Sequence, residues 1–148
     1  MHKEAFYKNV EARFLEQLHG ADQLISKMAT LVAALKEQIP YYSGCGFYFC
    51  EEPKLEVGPY QGSVVCAKIG YEGICGKAAK TQKAVLVADA KNYKKRIICD
   101  EKTRSEIAVP LHDPEKRLVA VFYAESHAKE SFDALDEQFL RSLFRQLF

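Results

Sequence analysis

PYYSGCGFYFC, running from Pro40 to Cys50, is where the periodicity of the chain changes. Before it, apolar residues return every third or fourth position; after it they come in short runs divided by turn residues. Pro40 cannot continue a helix, and the aromatic and cysteine run from Gly44 reads as a strand. Working back, Leu24, Ile25, Met28, Leu31, Val32 and Leu35 form one stripe, which predicts a helix over about 21–39. Gly20 separates it from an earlier helix over 3–19, whose stripe is Ala5, Phe6, Val10, Phe14 and Leu18. Working forward, GCGFYFC, KLEVG, SVVCAKI, AVLVAD, EIAVPL and RLVAVFYAE are six candidate strands. A short helix, GICGKAAKTQ, follows the third, and the polar connection AKNYKKRIICDEKTR follows the fourth. Asp133 is placed to cap a last long helix, with Asp136 in its first turn and Leu135, Phe139, Leu140, Leu143, Phe144 and Leu147 as its stripe. The order predicts an α+β domain. Its central sheet is mostly antiparallel and six-stranded, with N- and C-terminal helices on one face and a pocket under loops on the other.

The bulk numbers fit one domain spanning 1–148 with a substantial core. Composition is 48% hydrophobic and 28% charged, the balance of a soluble globular chain. A net charge of +1 provides no field for steering nucleic acid, so no nucleic-acid partner is expected. No apolar run reaches the ~18–20 residues of a membrane span. The opening MHKEAFYKNVEARF interleaves charge with apolar residues and has no signal-peptide core, which points to the cytoplasm. The apolar stripes of the terminal helices exceed what one sheet face needs, and a homodimer is expected through them.

Five cysteines, an odd number, with no export signal favour free thiols over a structural disulfide framework. Cys66, Cys75 and Cys99 lack the paired C-x₂₋₄-C units of a zinc site, and His2, His19, His112 and His127 show no ligand spacing, so no metal is expected. Any single cysteine is more often packing than chemistry, and Cys45 and Cys50 read that way. The run KNYKKR reads as a solvated loop. Asp89 and Asp100 sit where aspartate commonly makes local turn hydrogen bonds.

GPYQGSVVC, GICGKA, VADA, RIICD, TRSEIAVPL and AESHAKESFDALDEQ, in this order, resemble the GAF-domain free methionine-R-sulfoxide reductases. The resemblance covers residues 4–147. It implies a GAF fold, a dimer, and reduction of the R epimer of free methionine sulfoxide in a closed pocket, with a thioredoxin-like reductant and no cofactor. By motif it assigns Cys99 as the attacking thiol, Cys66 as its resolving partner, Cys75 as an accessory thiol and Glu106 as hydrogen-bond partner of the sulfoxide oxygen. Tyr48 would point into the pocket. These residue types suit the chemistry. A thiolate that attacks sulfoxide sulfur needs a proton for the departing oxygen. A carboxyl group in an apolar pocket keeps its proton, while Lys94, Lys95 and Arg96 upstream of Cys99 favour its thiolate. The sulfenic acid left behind condenses with a second thiol.

The chain departs from the family pattern at the pocket. Gly44 stands where the family has tryptophan, and with Gly46 it is expected to leave open volume beside Tyr48. Tyr123 and Glu125 stand where the family has two aspartates that help to hold the substrate's ammonium and polar end; period 2 puts both on one face. The ring of Tyr123 is expected to fill the space at Gly44. Two other readings stay open on sequence alone. One is a non-catalytic GAF module that binds a small ligand or senses oxidants through Cys66 and Cys99; the other is an inactive descendant.

Overall fold

The structure is a computed structural model and describes residues 2–18, 20–63 and 65–148. Along the chain lie α1 (Lys3–Gln17), α2 (Leu24–Gln38), β1 (Gly44–Glu51), β2 (Lys54–Gly62), β3 (Lys68–Ile69), α3 (Ile74–Thr81), β4 (Val85–Val87), β5 (Ser105–His112), β6 (Leu118–Ser126) and α4 (Ala134–Phe144). The strands form one six-stranded sheet in the order β3-β2-β1-β6-β5-β4, every pair antiparallel.

Alternation along the central strands divides the interior in two. Cys45 and Phe47 of β1, Ile107, Val109 and Leu111 of β5, and Ala120, Phe122 and Ala124 of β6 face one way and pack under α1, α2 and α4. Tyr48, Ala108 and Val121 face the other way, where they meet Ile74, Cys75, Ala78 and Ala79 of α3 together with Val85 and Val87 of β4. Because β1 is covered on both faces from Gly44 to Tyr48, its sequence is apolar without a break. The α+β prediction, helices on one face and a loop-covered pocket on the other, describes the observed layers.

Local chemistry explains the element ends. Asp133 accepts from Leu135 N at 3.0 Å and Asp136 reaches back to Asp133 N at 2.8 Å, a capping box at the predicted start of α4. Gly76 lets the first turn of α3 close on the Tyr71 carbonyl; a Cβ there would lie 2.1 Å from that oxygen.

Two expectations need correction. The buried face of α1 is Lys3, Tyr7, Val10 and Phe14: Val10 and Phe14 are as predicted, but Lys3 and Tyr7 are buried where Ala5 and Phe6 were expected, with Ala5 exposed and Phe6 half-buried. The cause lies across the fold. Lys3 Nζ and Tyr7 Oη both bond the carboxylate of Asp136, which is fully buried. The predicted strand SVVCAKI shrinks to Lys68–Ile69, because Cys66 is drawn across the sheet face to Cys99. On the terminal helices Leu15, Ile25 and Leu135 stay exposed. His19 and Val64, which fall in the predicted first helix and third strand, lie outside the described residues.

Candidate active site

Cys66 precedes β3 at one edge of the sheet, and Cys99 lies in the connection between β4 and β5 at the other. The two are joined by a disulfide with Cα atoms 5.5 Å apart. Cys75, in the first turn of α3, is a free, buried thiol; burial pushes it well above the ordinary thiol range, and the nearby Glu106 carboxylate adds to the effect. Cys45 points to the helix side, where its Sγ meets the Val32 carbonyl at 3.6 Å, and burial pushes its thiol up as well. Cys50 is a half-buried free thiol at the end of β1.

Sheet register sets the polar half of the site. Pairing of β5 with β6 places Glu106 directly opposite Glu125 and Ala108 opposite Tyr123. Like charges facing each other across a ladder are unfavourable. Here a phenol lies between them: Tyr123 Oη is 2.9 Å from Glu106 Oε1 and 2.5 Å from Glu125 Oε2. Thr103 Oγ1 donates to the same Glu125 oxygen at 2.9 Å. Burial raises the Glu106 carboxyl above the usual carboxylate range, with the negative charge of Glu125 adding to the rise. Burial raises Glu125 too. Its Oε1 is buried with no hydrogen-bond partner among the described residues.

These groups meet at a cavity of about 30 Å³, room for a water or two. Tyr48, Cys75, Cys99, Glu106, Tyr123 and Glu125 line it, with Val65, Ile69, Ile74 and Ile97 as apolar wall and Arg96 at its rim. Tyr48 stands edge-on to Tyr123, ring centroids 6.3 Å apart, and its hydroxyl donates to the Cys66 carbonyl at 2.9 Å. The structure thus gathers seven of the eight residues singled out in the sequence around one chamber, Cys66 through its bond to Cys99.

Gly44 is the exception. It pairs with Glu125, but the side it leaves open is taken by Ser63: a Cβ at residue 44 would meet Ser63 N at 3.0 Å and Glu125 Oε1 at 3.3 Å. Tyr123 pairs one step along, with Gly46, so its ring does not fill that space. At Gly46 the open side is taken by Tyr60 and the Pro59 carbonyl. The expected free volume beside Tyr48 is closed by β2, a neighbour that the sequence of β1 cannot reveal.

Thr103, the first residue of TRSEIAVPL, is given no role by the sequence, yet it orients Glu125. Asp89 accepts from Lys91 N at 3.1 Å and Asp100 from Lys102 N at 3.0 Å, the local turn bonds expected of both. Asp100 also holds His127 at 3.0 Å, fastening the segment after Cys99 to the end of β6. Lys94 and Lys95 are exposed, and Arg96 alone of the basic run reaches the cavity. Among the described residues no cluster of His, Cys, Asp and Glu is arranged to hold a metal, and no helix is long and apolar enough to cross a membrane.

A central antiparallel sheet with terminal helices on one face and a loop-roofed ligand cavity on the other defines the GAF class, and a family model described as "GAF domain" matches residues 26–147. Among curated relatives, the free methionine-R-sulfoxide reductase of Escherichia coli (strain K12) is 30% identical over 148 residues, covering 99% of this chain and 89% of its own. GAF domain-containing protein A of Dictyostelium discoideum is 32% identical over 147 residues, covering 98% of this chain and 92% of its own. The solved free methionine-R-sulfoxide reductase of Neisseria meningitidis in complex with its substrate superposes with a TM-score of 0.88 at 30% identity, over 98% of this chain and 87% of that one. The chain belongs to the GAF-domain free methionine-R-sulfoxide reductase family, a family of oxidoreductases.

Proposed function

We propose that this protein reduces the R epimer of free methionine sulfoxide, with Cys99 as nucleophile and Cys66 as resolving thiol. One observation carries the reading: the Cys66–Cys99 disulfide closes a chamber that also contains a raised carboxyl group, Glu106. In the reduced protein the Cys99 thiolate attacks the sulfoxide sulfur. Glu106 gives its proton to the oxygen, the S–O bond breaks, and the oxygen passes to Cys99 as a sulfenic acid. The substrate sulfur gains two electrons and leaves as a thioether. The Cys66 thiol then displaces the oxygen, its own hydrogen completing a water molecule as the disulfide forms, and Glu106 regains its proton from solvent. A dithiol reductant of the thioredoxin class returns both cysteines to thiols, and Cys75, on the wall of the same chamber, is an accessory thiol for that exchange.

The other groups hold the substrate. The unpartnered Oε1 of Glu125 offers an acceptor to the ammonium group, and Tyr48 and Tyr123 supply aromatic walls. Arg96, at the rim, favours the Cys99 thiolate. The protein acts as a single domain, in the cytoplasm, as a homodimer. The test is a thioredoxin-coupled assay on both sulfoxide epimers. R-selective turnover abolished by Cys99→Ser is the expected result; a wild-type protein that forms the disulfide with oxidant yet turns over neither epimer defeats the reading and leaves a redox sensor.

A further inference from the structure

The contact between Tyr123 and its two carboxyl groups fixes a proton count. A phenol hydroxyl donates one hydrogen bond, yet Tyr123 Oη lies within bonding distance of both Glu106 and Glu125, at 2.9 and 2.5 Å. With both carboxylates ionised, one oxygen pair would face each other with no hydrogen between them. A second proton is therefore held in the group, on a carboxyl that donates to the phenol oxygen. Geometry says which. The shorter contact, to Glu125, has the length of a hydroxyl donating to an anion, and the same Glu125 oxygen also accepts from Thr103 at 2.9 Å. The longer contact fits a neutral Glu106 that donates to Tyr123.

We propose that Tyr123 is a positioning residue that bridges Glu106 to Glu125 and so keeps one proton on Glu106 before any sulfoxide arrives. The inference rests on the reductase reading only in what that proton is for. Its direction is set by the bridge: the phenol accepts from protonated Glu106 and gives its own hydrogen to ionised Glu125, which favours a proton on the first and charge on the second. The register that puts the two carboxyls opposite each other makes the bridge necessary. Facing it are Cys75 from α3, Tyr48 from β1, Arg96 and Asp100 from the connection before β5, and His127 after β6. Arg96 alone of these is a fixed cation, and it opposes the bridge by favouring ionised Glu106, as the phenol itself would were its hydrogen turned to Glu106 instead of Glu125.

The experiment compares wild type with Tyr123→Phe and Glu125→Gln by two readouts. Infrared difference spectra of the oxidised protein between neutral and alkaline pH follow the C=O stretch of a protonated carboxyl, assigned by its loss in Glu106→Gln. The pH profile of R-sulfoxide reduction supplies the second. Tyr123→Phe removes the acceptor that holds the Glu106 proton, and Glu125→Gln frees the phenol hydrogen to turn toward Glu106. Both are expected to move the titration of the band, and the alkaline limb of activity with it, down by about one pH unit, a tenfold loss of the protonated form at a fixed pH within the limb. Absence of the band in wild type at neutral pH overturns the proposal, as does a band that stays put or moves up in both variants. Should one variant fail to fold, the other decides. If the wild type turns over no sulfoxide, the reductase reading falls while the infrared titration still tests the bridge.

Discussion

Two buried clusters of carboxylate and tyrosine lie on opposite faces of the same sheet, and they are finished differently. On the helix side, Asp136 is fully buried and each of its oxygens takes two donors. Oδ1 accepts from Tyr7 and Tyr41, and Oδ2 from Lys3 Nζ at 2.5 Å and Asp133 N at 2.8 Å. Lys3 in turn donates to the Ser131 carbonyl at 2.7 Å. The charge of Asp136 is matched by that of Lys3. On the pocket side, Glu125 has two donors on one oxygen and, among the described residues, none on the other; it faces a second carboxyl group and borders empty space. The first cluster has the marks of a clamp that ties α1 to α4. The second leaves capacity unfilled, as a site for a visiting molecule must.

Substitutions can sharpen the contrast. Asp136→Ala has the largest expected effect. Removing one partner of a buried ion pair leaves Lys3 with only the exposed Asp133 at 3.4 Å and costs about 3–5 kcal/mol, which lowers Tm on the order of 10 °C; a melting curve reads it. Glu125→Gln should act the other way at neutral pH. Burial raises the folded-state pKa of Glu125, so the acid fits the fold best below its unfolded value and loses that fit as pH rises through the raised one. The amide does not titrate. Its gain at neutral pH should therefore vanish in melts at acid pH, and R-sulfoxide turnover should fall by tenfold or more for want of the ammonium partner. Equal losses from Asp136→Ala and Glu125→Gln at neutral pH would erase the distinction between the clusters. Tyr48→Phe is the mildest. It frees the Cys66 carbonyl and lowers Tm by about 2–4 °C, the equivalent of one hydrogen bond of roughly 1 kcal/mol.

Much of this architecture was readable from periodicity. The breaks at Gly20 and Pro40, the cap at Asp133 and the six strand runs all emerge where local chemistry decides. Errors fell where a distant partner decides. Lys3 reads as a surface residue until Asp136 is beside it, and SVVCAKI reads as a strand until a sulfur at residue 99 draws Cys66 away. The pocket was legible as a set of residues, because motif and period put Tyr48, Glu106, Tyr123 and Glu125 on one face. What lies against that face was not. Ser63 beside Gly44 and Thr103 on Glu125 are contacts between segments far apart in the chain, each too ordinary in type to signal its place.

The disulfide joins the two margins of the sheet across 33 residues of chain, and α3 and β4 lie within the loop it closes. Closing a loop of that length restricts the unfolded chain by roughly 3.5–4 kcal/mol at room temperature. Under the proposed cycle the protein gives up that reinforcement each time the bond is reduced for a new turnover. Its working form is then the more fragile one, and its spent form doubles as storage: without reductant, the molecule waits in the state that best resists heat and proteases.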